Sequence, residues 1–271
     1  MSTKKTVLIT GASSGIGEAT ARHLAEKGYT VIGAARRVEK MQHLKEWGID
    51  ILPMDLSNDD SIRKTVDTII QAEGKIDILI NVAGFGLYGA VEDVSMDDAR
   101  YQMEVNVIGL ARLCQLVLPY MRRQRWGKIV NVTSIGGKMA TPLGGWYHAS
   151  KFAVEGLSDS LRLEVKQFGI DVILIEPGGV KTEWGAIAFD NATRVSGNTT
   201  YGLMTAKAKE VADKFDHGSE PIEIARLIGT AIEAENPRPR YVKGYMARPV
   251  LFAKKWLGDR LFDKLIMNQL K

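Results

Sequence analysis

Short apolar runs alternate along this chain with longer stretches in which apolar positions recur every three to four residues. The first pattern predicts strands and the second helices, because side chains alternate across a strand and repeat about every 3.6 residues around a helix. Strands are predicted near residues 5–10, 30–35, 49–54, 76–81, 128–133, 170–176 and 240–243. Helices are predicted near 15–27, 37–47, 58–73, 97–124, 146–168 and 221–234. Strand–helix alternation of this kind implies an α/β fold, a single doubly wound Rossmann-type parallel sheet with helices on both faces. The acidic clusters Ser57–Asp60 and Ser95–Asp98 stand just before helical stretches, where they serve as caps and first-turn acids rather than as catalytic carboxylates.

At 271 residues, 45% hydrophobic and 25% charged, the chain has the composition of a soluble globular protein, and one domain over 1–271 is expected. Charge is unevenly spread. Residues 236–271 hold nine Lys or Arg and two Asp, a balance of +7, so the rest of a chain of net charge +4 carries −3. That extension reads as two basic amphipathic helices, Arg248 to Leu257 and Asp259 to Met267. Their apolar stripe, Trp256, Leu257, Leu261, Phe262, Leu265 and Ile266, is expected to cover the substrate side or a subunit face in preference to lying on a membrane. The lone Cys114 sits in an apolar stretch and reads as a small core residue. Met1-Ser-Thr-Lys-Lys passes straight into a strand, and no apolar stretch reaches the ~18 to 20 residues of a membrane span. A soluble, cytoplasmic protein is expected, with no nucleic-acid partner. The four histidines show no metal-ligand spacing, and no metal is expected.

The chemistry is carried by three groups of residues. Thr10-Gly11-Ala-Ser-Ser-Gly15-Ile-Gly17 follows the first strand and opens the first helix. A glycine loop alone is as readily a structural turn. Between strand and helix it offers close backbone approach and unpaired helix N–H groups to a pyrophosphate. The second strand ends in Arg36-Arg37 where an NAD site would place an acid. Two surface arginines are ordinarily just solvated, but at this strand end their guanidinium groups suit a 2′-phosphate, which favours NADP(H) over NAD(H). Tyr147 and Lys151 sit four apart on one helix face, and a neighbouring cation is expected to lower the phenol's pKa for proton exchange with an alcohol or carbonyl. Alone, that spacing would be an ordinary surface pair; Ser134, thirteen residues upstream at a strand end, gives it company.

Together with Asn81-Val-Ala-Gly84 and Pro177-Gly178, these elements resemble the short-chain dehydrogenase/reductase family in order and spacing over about the first 180 residues. Val82 departs from the family's Asn-Asn-Ala-Gly and is expected to loosen the network around the fourth strand. The resemblance implies that Ser134, Tyr147, Lys151 and Asn106 are catalytic, Asn106 through a water beside the lysine. It implies that Gly11, Ser13, Ser14, Gly15, Ile16, Gly17, Arg36, Arg37, Asp55, Leu56, Asn81, Ala83, Gly84, Tyr147, Lys151, Pro177, Gly178, Val180 and Thr182 line the cofactor site. Asp55 is expected to meet the adenine. Residues 177–189 are expected to form the family's mobile substrate loop, with Trp184, Ile187 and Phe189 as an apolar lid. The extension and Gly86-Leu-Tyr-Gly-Ala90 are similar to the 17-beta-hydroxysteroid and retinol dehydrogenase-like branch. The expected activity is NADP-dependent interconversion of an alcohol and its carbonyl on a steroid, retinoid, fatty or aromatic substrate, by a homo-oligomer. The alternatives are a 3-oxoacyl thioester reductase and a dinucleotide sensor without turnover. A methyltransferase is disfavoured by Arg36 and Arg37. His148, next to Tyr147, points elsewhere on the helix and reads as a pocket-edge or core histidine.

Overall fold

A computed structural model describes residues 4–214 and 218–270; Met1 to Thr3 and Lys271, at the end of the extension, lie outside them. Seven strands form one sheet: β1 Thr6–Thr10, β2 Thr30–Ala35, β3 Asp50–Pro53, β4 Ile78–Asn81, β5 Gly127–Val132, β6 Ile170–Pro177 and β7 Arg240–Lys243. The order is β3-β2-β1-β4-β5-β6-β7, and every pairing is parallel. Parallel strands need crossovers, and helices supply them on both faces. Helices α2 Asp59–Glu73, α4 Gly109–Gln124 and α5 Gly145–Val165 pack on Leu8, Ile32, Leu79, Ile129 and Val172. Helices α1 Gly15–Glu26 and α8 Pro221–Glu233 pack on the alternate residues Val7, Ile9, Val31, Ile80, Val130 and Ile173. The chain reverses direction across the sheet between β1 and β4, the switch point where such sheets open a crevice at their carboxyl edge.

Several helices differ from the sequence pattern. The helix predicted over 97–124 is three pieces: α3 Met96–Met103, a π turn Glu104–Ile108, and α4. The segment predicted near 37–47 is a tighter 3-10 helix over Val38–Trp47, and the stretch near 146–168 ends in a 3-10 turn, Lys166–Phe168. Residues read as a substrate loop contain α6 Glu183–Ser196, and α7 Gly202–Lys214 follows. Thr182 accepts from the Trp184 N–H and Glu183 stands in the first turn, a start signal that lets this segment coil. The caps at Asn58 and Ser95 accept from Ser61 and Asp98 N–H groups, as their acidic surroundings imply.

The extension forms α9 Ala247–Asn268, divided by Gly258 at φ 66 and ψ 170 into the two helices expected. Its apolar stripe is not seated as one surface. Phe262 is buried and Leu270 packs against a cluster of aromatic residues, but Trp256 and Leu261 are 66% and 59% exposed. The break at Gly258 takes the two halves out of one helical phase, so a stripe continuous in sequence is not continuous in space. No helix among the described residues is long and apolar enough to cross a membrane.

Candidate active site

The carboxyl ends of β1 and β4 meet backbone to backbone. Thr10 Oγ1 accepts from the N–H groups of both Val82 and Ala83, each at 3.1 Å. Gly11, at φ +70, would press a Cβ to 2.9 Å from Ala83 N and Cα, so only glycine allows this approach. The Val82 backbone is tied to Thr10, and its side chain packs with the apolar layer over β1. Asn81 Nδ2 donates to Asn131 Oδ1 at 2.9 Å, which links β4 to β5 inside the sheet. Gly17 lies so close to the loop that a Cβ there would stand 2.1 Å from the Gly11 carbonyl oxygen.

This cradle fits a dinucleotide. Ser14, at the N-cap of α1, makes no capping hydrogen bond, so the first-turn N–H groups of α1 have no side-chain acceptor from the cap. Its Oγ instead accepts from Arg37 Nη2 at 3.3 Å, which brings that guanidinium to the glycine loop. Arg36 donates to the Tyr101 hydroxyl at 2.5 Å. Gly15 faces Thr182, and Ser13, Gly15 and Ile16 remain half-exposed around the same turn. Asp55 accepts from Ser57 N and Oγ at 2.9 and 2.7 Å, which fixes the turn after β3, and Leu56 is buried beneath it with its carbonyl against Gly109. Pro177 ends β6, and Gly178 and Val180 lead from it to Thr182. The predicted cofactor residues thus collect along one edge of the sheet.

Tyr147, Ser134, Lys151 and Asn106 collect beside them. The Ser134 hydroxyl is hydrogen-bonded to the Tyr147 hydroxyl and accepts from Gly136 N at 3.0 Å. Lys151, buried one turn along α5, donates to the Val132 carbonyl at 3.0 Å. Asn106, in the π turn, accepts from Phe85 N at 3.1 Å and donates to Phe85 O and Ser150 Oγ, both at 3.0 Å. Its Oδ1 and the Lys151 Nζ both approach Gly84, where a Cβ would stand 3.1 and 3.7 Å from them.

The phenol does not behave as the Tyr–Lys spacing implies. Burial pushes the Tyr147 pKa up to about 12, and the Ser134 hydrogen bond only partly opposes it. Lys151 is turned to the Val132 carbonyl with its Nζ 5.9 Å from the phenol ring centre. Burial also lowers the Lys151 pKa to about 8, against the pull of Glu155 one turn further on. The site as it stands holds a neutral phenol that can give a proton.

Part of the expected lid completes the pocket: Trp184 and Phe189 close over Tyr147, whereas Ile187 is exposed. The Trp184 ring from α6 lies 4.9 Å from the Tyr147 ring, with Tyr88 5.8 Å from each. Phe189 and Leu143 join them in one apolar cluster. His148 is a core residue: its Nδ1 pairs with the Gly136 carbonyl at 2.9 Å and its Nε2 accepts from Thr141 N at 3.1 Å. Burial lowers its pKa, and these bonds brace the loop before α5. Cys114 is buried with its pKa pushed up to about 12, inert as expected.

Behind Lys151 stands a second group of charges, Glu155, Glu176, Lys138 and Arg240. Lys138 Nζ lies 2.7 Å from Glu155 Oε2, and Arg240 Nη2 donates to the same oxygen at 3.0 Å. Arg240 Nε, 3.1 Å from Glu176 Oε1, is directed at Glu155 instead, which leaves that buried oxygen without a donor. Burial and the neighbouring Glu155 carboxylate push Glu176 up to about 7, against Lys138 and Arg240. A carboxyl whose folded pKa lies above its unfolded value stabilises the fold at low pH and loses that contribution as pH rises through about 7. Thermal midpoints are expected to fall between about pH 4.5 and 7, and Glu176→Gln is expected to flatten that slope in calorimetry. An unchanged slope would assign the proton elsewhere.

Comparison with known proteins agrees with this geometry. A family model described as short chain dehydrogenase matches residues 5–192. The chain is 39% identical over 261 residues to a 3-ketodihydrosphingosine reductase of Bacteroides thetaiotaomicron, covering 95% of this chain and 94% of that one. It is 33% identical to an NADPH-dependent 3-dehydrocapnine reductase of Ornithobacterium rhinotracheale, with 97% and 96% covered. The crystal structure of a short-chain dehydrogenase from Streptomyces avermitilis superposes with a TM-score of 0.83 at 30% identity, over 93% of this chain and 92% of that one. With the parallel sheet and the dinucleotide cradle already in place, these matches establish that the chain belongs to the short-chain dehydrogenase/reductase family of oxidoreductases.

Proposed function

We propose that the protein is an NADP(H)-preferring carbonyl reductase or alcohol dehydrogenase acting on an apolar primary or secondary alcohol and its carbonyl. The observation that carries this reading is the apolar cluster around the buried Tyr147 hydroxyl, formed by Trp184, Tyr88, Phe189 and Leu143. A polar sugar would leave its hydroxyls unpaired against these rings, whereas a lipid or aromatic ketone presents one oxygen to Ser134 and Tyr147. The two relatives named as reductases of 3-ketodihydrosphingosine and 3-dehydrocapnine support the carbonyl-reducing direction. So does a phenol that burial keeps protonated.

When bound, the nicotinamide dinucleotide supplies or accepts the hydride. Ser134 holds the substrate oxygen and Tyr147 gives it a proton. Lys151 faces the Gly84 side of the cradle, where its charge favours the phenolate left behind. Asn106 fixes the Phe85 backbone beside Lys151 and so keeps the β4 end in place. The site edge given by Gly11, Ser13, Ser14, Gly15, Ile16, Gly17, Asp55, Leu56, Asn81, Ala83, Gly84, Pro177, Gly178, Val180 and Thr182 receives the rest of the dinucleotide. Exposed Phe152, Leu157 and Leu163 on α5 give self-association into a homo-oligomer an apolar face. The direct test is NADPH consumption across lipid ketones, ketosteroids, retinal, 3-oxoacyl thioesters and aldoses. Turnover of aldoses alone would sink the reading, and turnover of acyl thioesters alone would move it to the thioester alternative.

Nucleotide choice rests on Arg37 at the Ser14 turn and on Arg36 beside it. Replacing both by Gln is expected to weaken NADPH binding at least about tenfold, because each charge-assisted bond to a phosphate is worth roughly 1.5–3 kcal/mol. NADH binding is expected to stay nearly unchanged. Titration of both nucleotides checks this, and equal NADPH affinity in variant and wild type would leave the arginines as solvated surface groups.

A further inference from the structure

We propose that α9 and the cationic cavity at its root form a docking surface for an anionic lipid layer. The cavity, about 760 Å³, lies between α8, β7 and the start of α9, and Arg238, Arg240, Lys243 and Arg248 line it. Two of these charges are already answered: Arg240 by Glu155 and Asp159, and Lys243 by Glu223 at 3.4 Å. Arg238 stacks on the Tyr241 ring, and neither it nor Arg248 has a carboxylate within ion-pair distance among the described residues. The same holds for Lys255, Arg260 and Lys264 along α9, whereas Lys254 is paired with Asp259 at 2.6 Å. Five unanswered cations therefore stand on one short extension of a chain whose remaining residues carry −3.

Phe262 of α9 is buried, but Phe252, Trp256, Leu261 and Leu265 alternate with those cations and face solvent, with Lys255 Nζ 5.4 Å over the Trp256 ring. Phe252 and Trp256, one turn apart, are 67% and 66% exposed with their rings 6.1 Å from each other. Leu261 and Leu265 repeat the spacing beyond Gly258, and both are exposed. Each half of α9 thus shows its own exposed apolar pair with Lys or Arg beside it, and amphipathic helices of this kind lie in the interface plane, apolar groups in the acyl boundary and cations at anionic headgroups. A second copy of this chain is a poorer occupant, because a two-fold contact on this face would gather ten unanswered cations in one interface. Just beyond α9, Leu270 packs against the aromatic cluster around Tyr147, so the surface runs from the cationic cavity to the candidate active site. That link to substrate rests on the function proposed above; docking itself does not.

The test is co-sedimentation of the full-length protein with vesicles of phosphatidylcholine and of phosphatidylcholine mixed with phosphatidylglycerol. Wild type is expected to bind the anionic vesicles at least about tenfold more tightly than the neutral ones, and to release them near 1 M salt, where charges are screened within ~3 Å. The double variant Phe252→Ser, Trp256→Ser and the quadruple variant Arg248→Gln, Lys255→Gln, Arg260→Gln, Lys264→Gln are each expected to lose most of this binding. Circular dichroism is expected to stay unchanged, since all six side chains are exposed. Equal binding to neutral and anionic vesicles, or undiminished binding by both variants, would overturn the proposal. So would a wild-type dimer that falls apart in the Phe252, Trp256 variant, which would put a second copy on the stripe. Vesicle binding needs no turnover, so failure of the proposed substrate class would leave this result standing.

Discussion

Tyr147→Phe is expected to lower kcat at least about 100-fold while NADPH affinity stays within about threefold of wild type. The substitution keeps the ring that packs against Tyr88 and Trp184 and removes only the hydroxyl. Ser134 loses a partner but keeps its bond from Gly136 N and is only half-buried, so its hydroxyl can turn to water and the fold is spared. What disappears is the proton donor beside Ser134, a contribution of roughly 3 kcal/mol to the transition state. Single-turnover rates and nucleotide titration separate the two effects. Retention of more than about a tenth of wild-type kcat would remove Tyr147 from the acid–base role. Because burial holds the phenol proton to about 12, reduction by wild type is expected to persist well above neutral pH.

Gly17→Ala is expected to damage both fold and nucleotide binding. A Cβ there would meet the Gly11 carbonyl at 2.1 Å and its carbon at 2.6 Å, and both are backbone atoms of a loop already pressed against Ala83. No side chain can swing aside, so α1 has to back away from the loop. Overpacking of this kind costs roughly 1–3 kcal/mol, a fall of several degrees in thermal midpoint. Displacing the first turn of α1 also pulls its N–H groups from the pyrophosphate position, and NADPH affinity is expected to fall more than about tenfold. Differential scanning calorimetry and nucleotide titration read the two effects separately. Wild-type values in both would show that the loop yields where the geometry says it cannot.

The strands were legible to within two residues because each is a dense apolar run ended by glycine, proline or a polar turn. The cradle was legible because close backbone approach demands glycine, and glycines at 11, 15 and 17 leave a spacing that few other structures need. Other features depend on distance in space rather than along the chain. Trp184 lies 37 residues from the Tyr147 it covers, and Arg240 reaches Glu155 across 85 residues. The apolar run Trp184 to Phe189 marks a lid in the sequence, but no local pattern announces the Arg240–Glu155 contact. The phenol's raised pKa was missed for a similar reason: spacing along α5 puts Lys151 one turn away, but the burial that outweighs it comes from α6 and the Gly86–Ala90 loop. Helix α6 was hidden by an apolar segment with a glycine inside it, which reads as a lid until its Thr182 cap is seen holding it.

The π turn between α3 and α4 has a consequence for how this protein can vary. Such a turn carries one more residue than the helix around it, so α3 and α4 are out of step by about 100°. Loss of any one residue from 104–108 would let the segment close into a single regular helix, with its backbone bonds intact. It would also rotate Asn106 off the Phe85 backbone and away from the Gly84 side of Lys151. Insertions and deletions here therefore act as a phase change: the scaffold tolerates them, and the catalytic edge registers them.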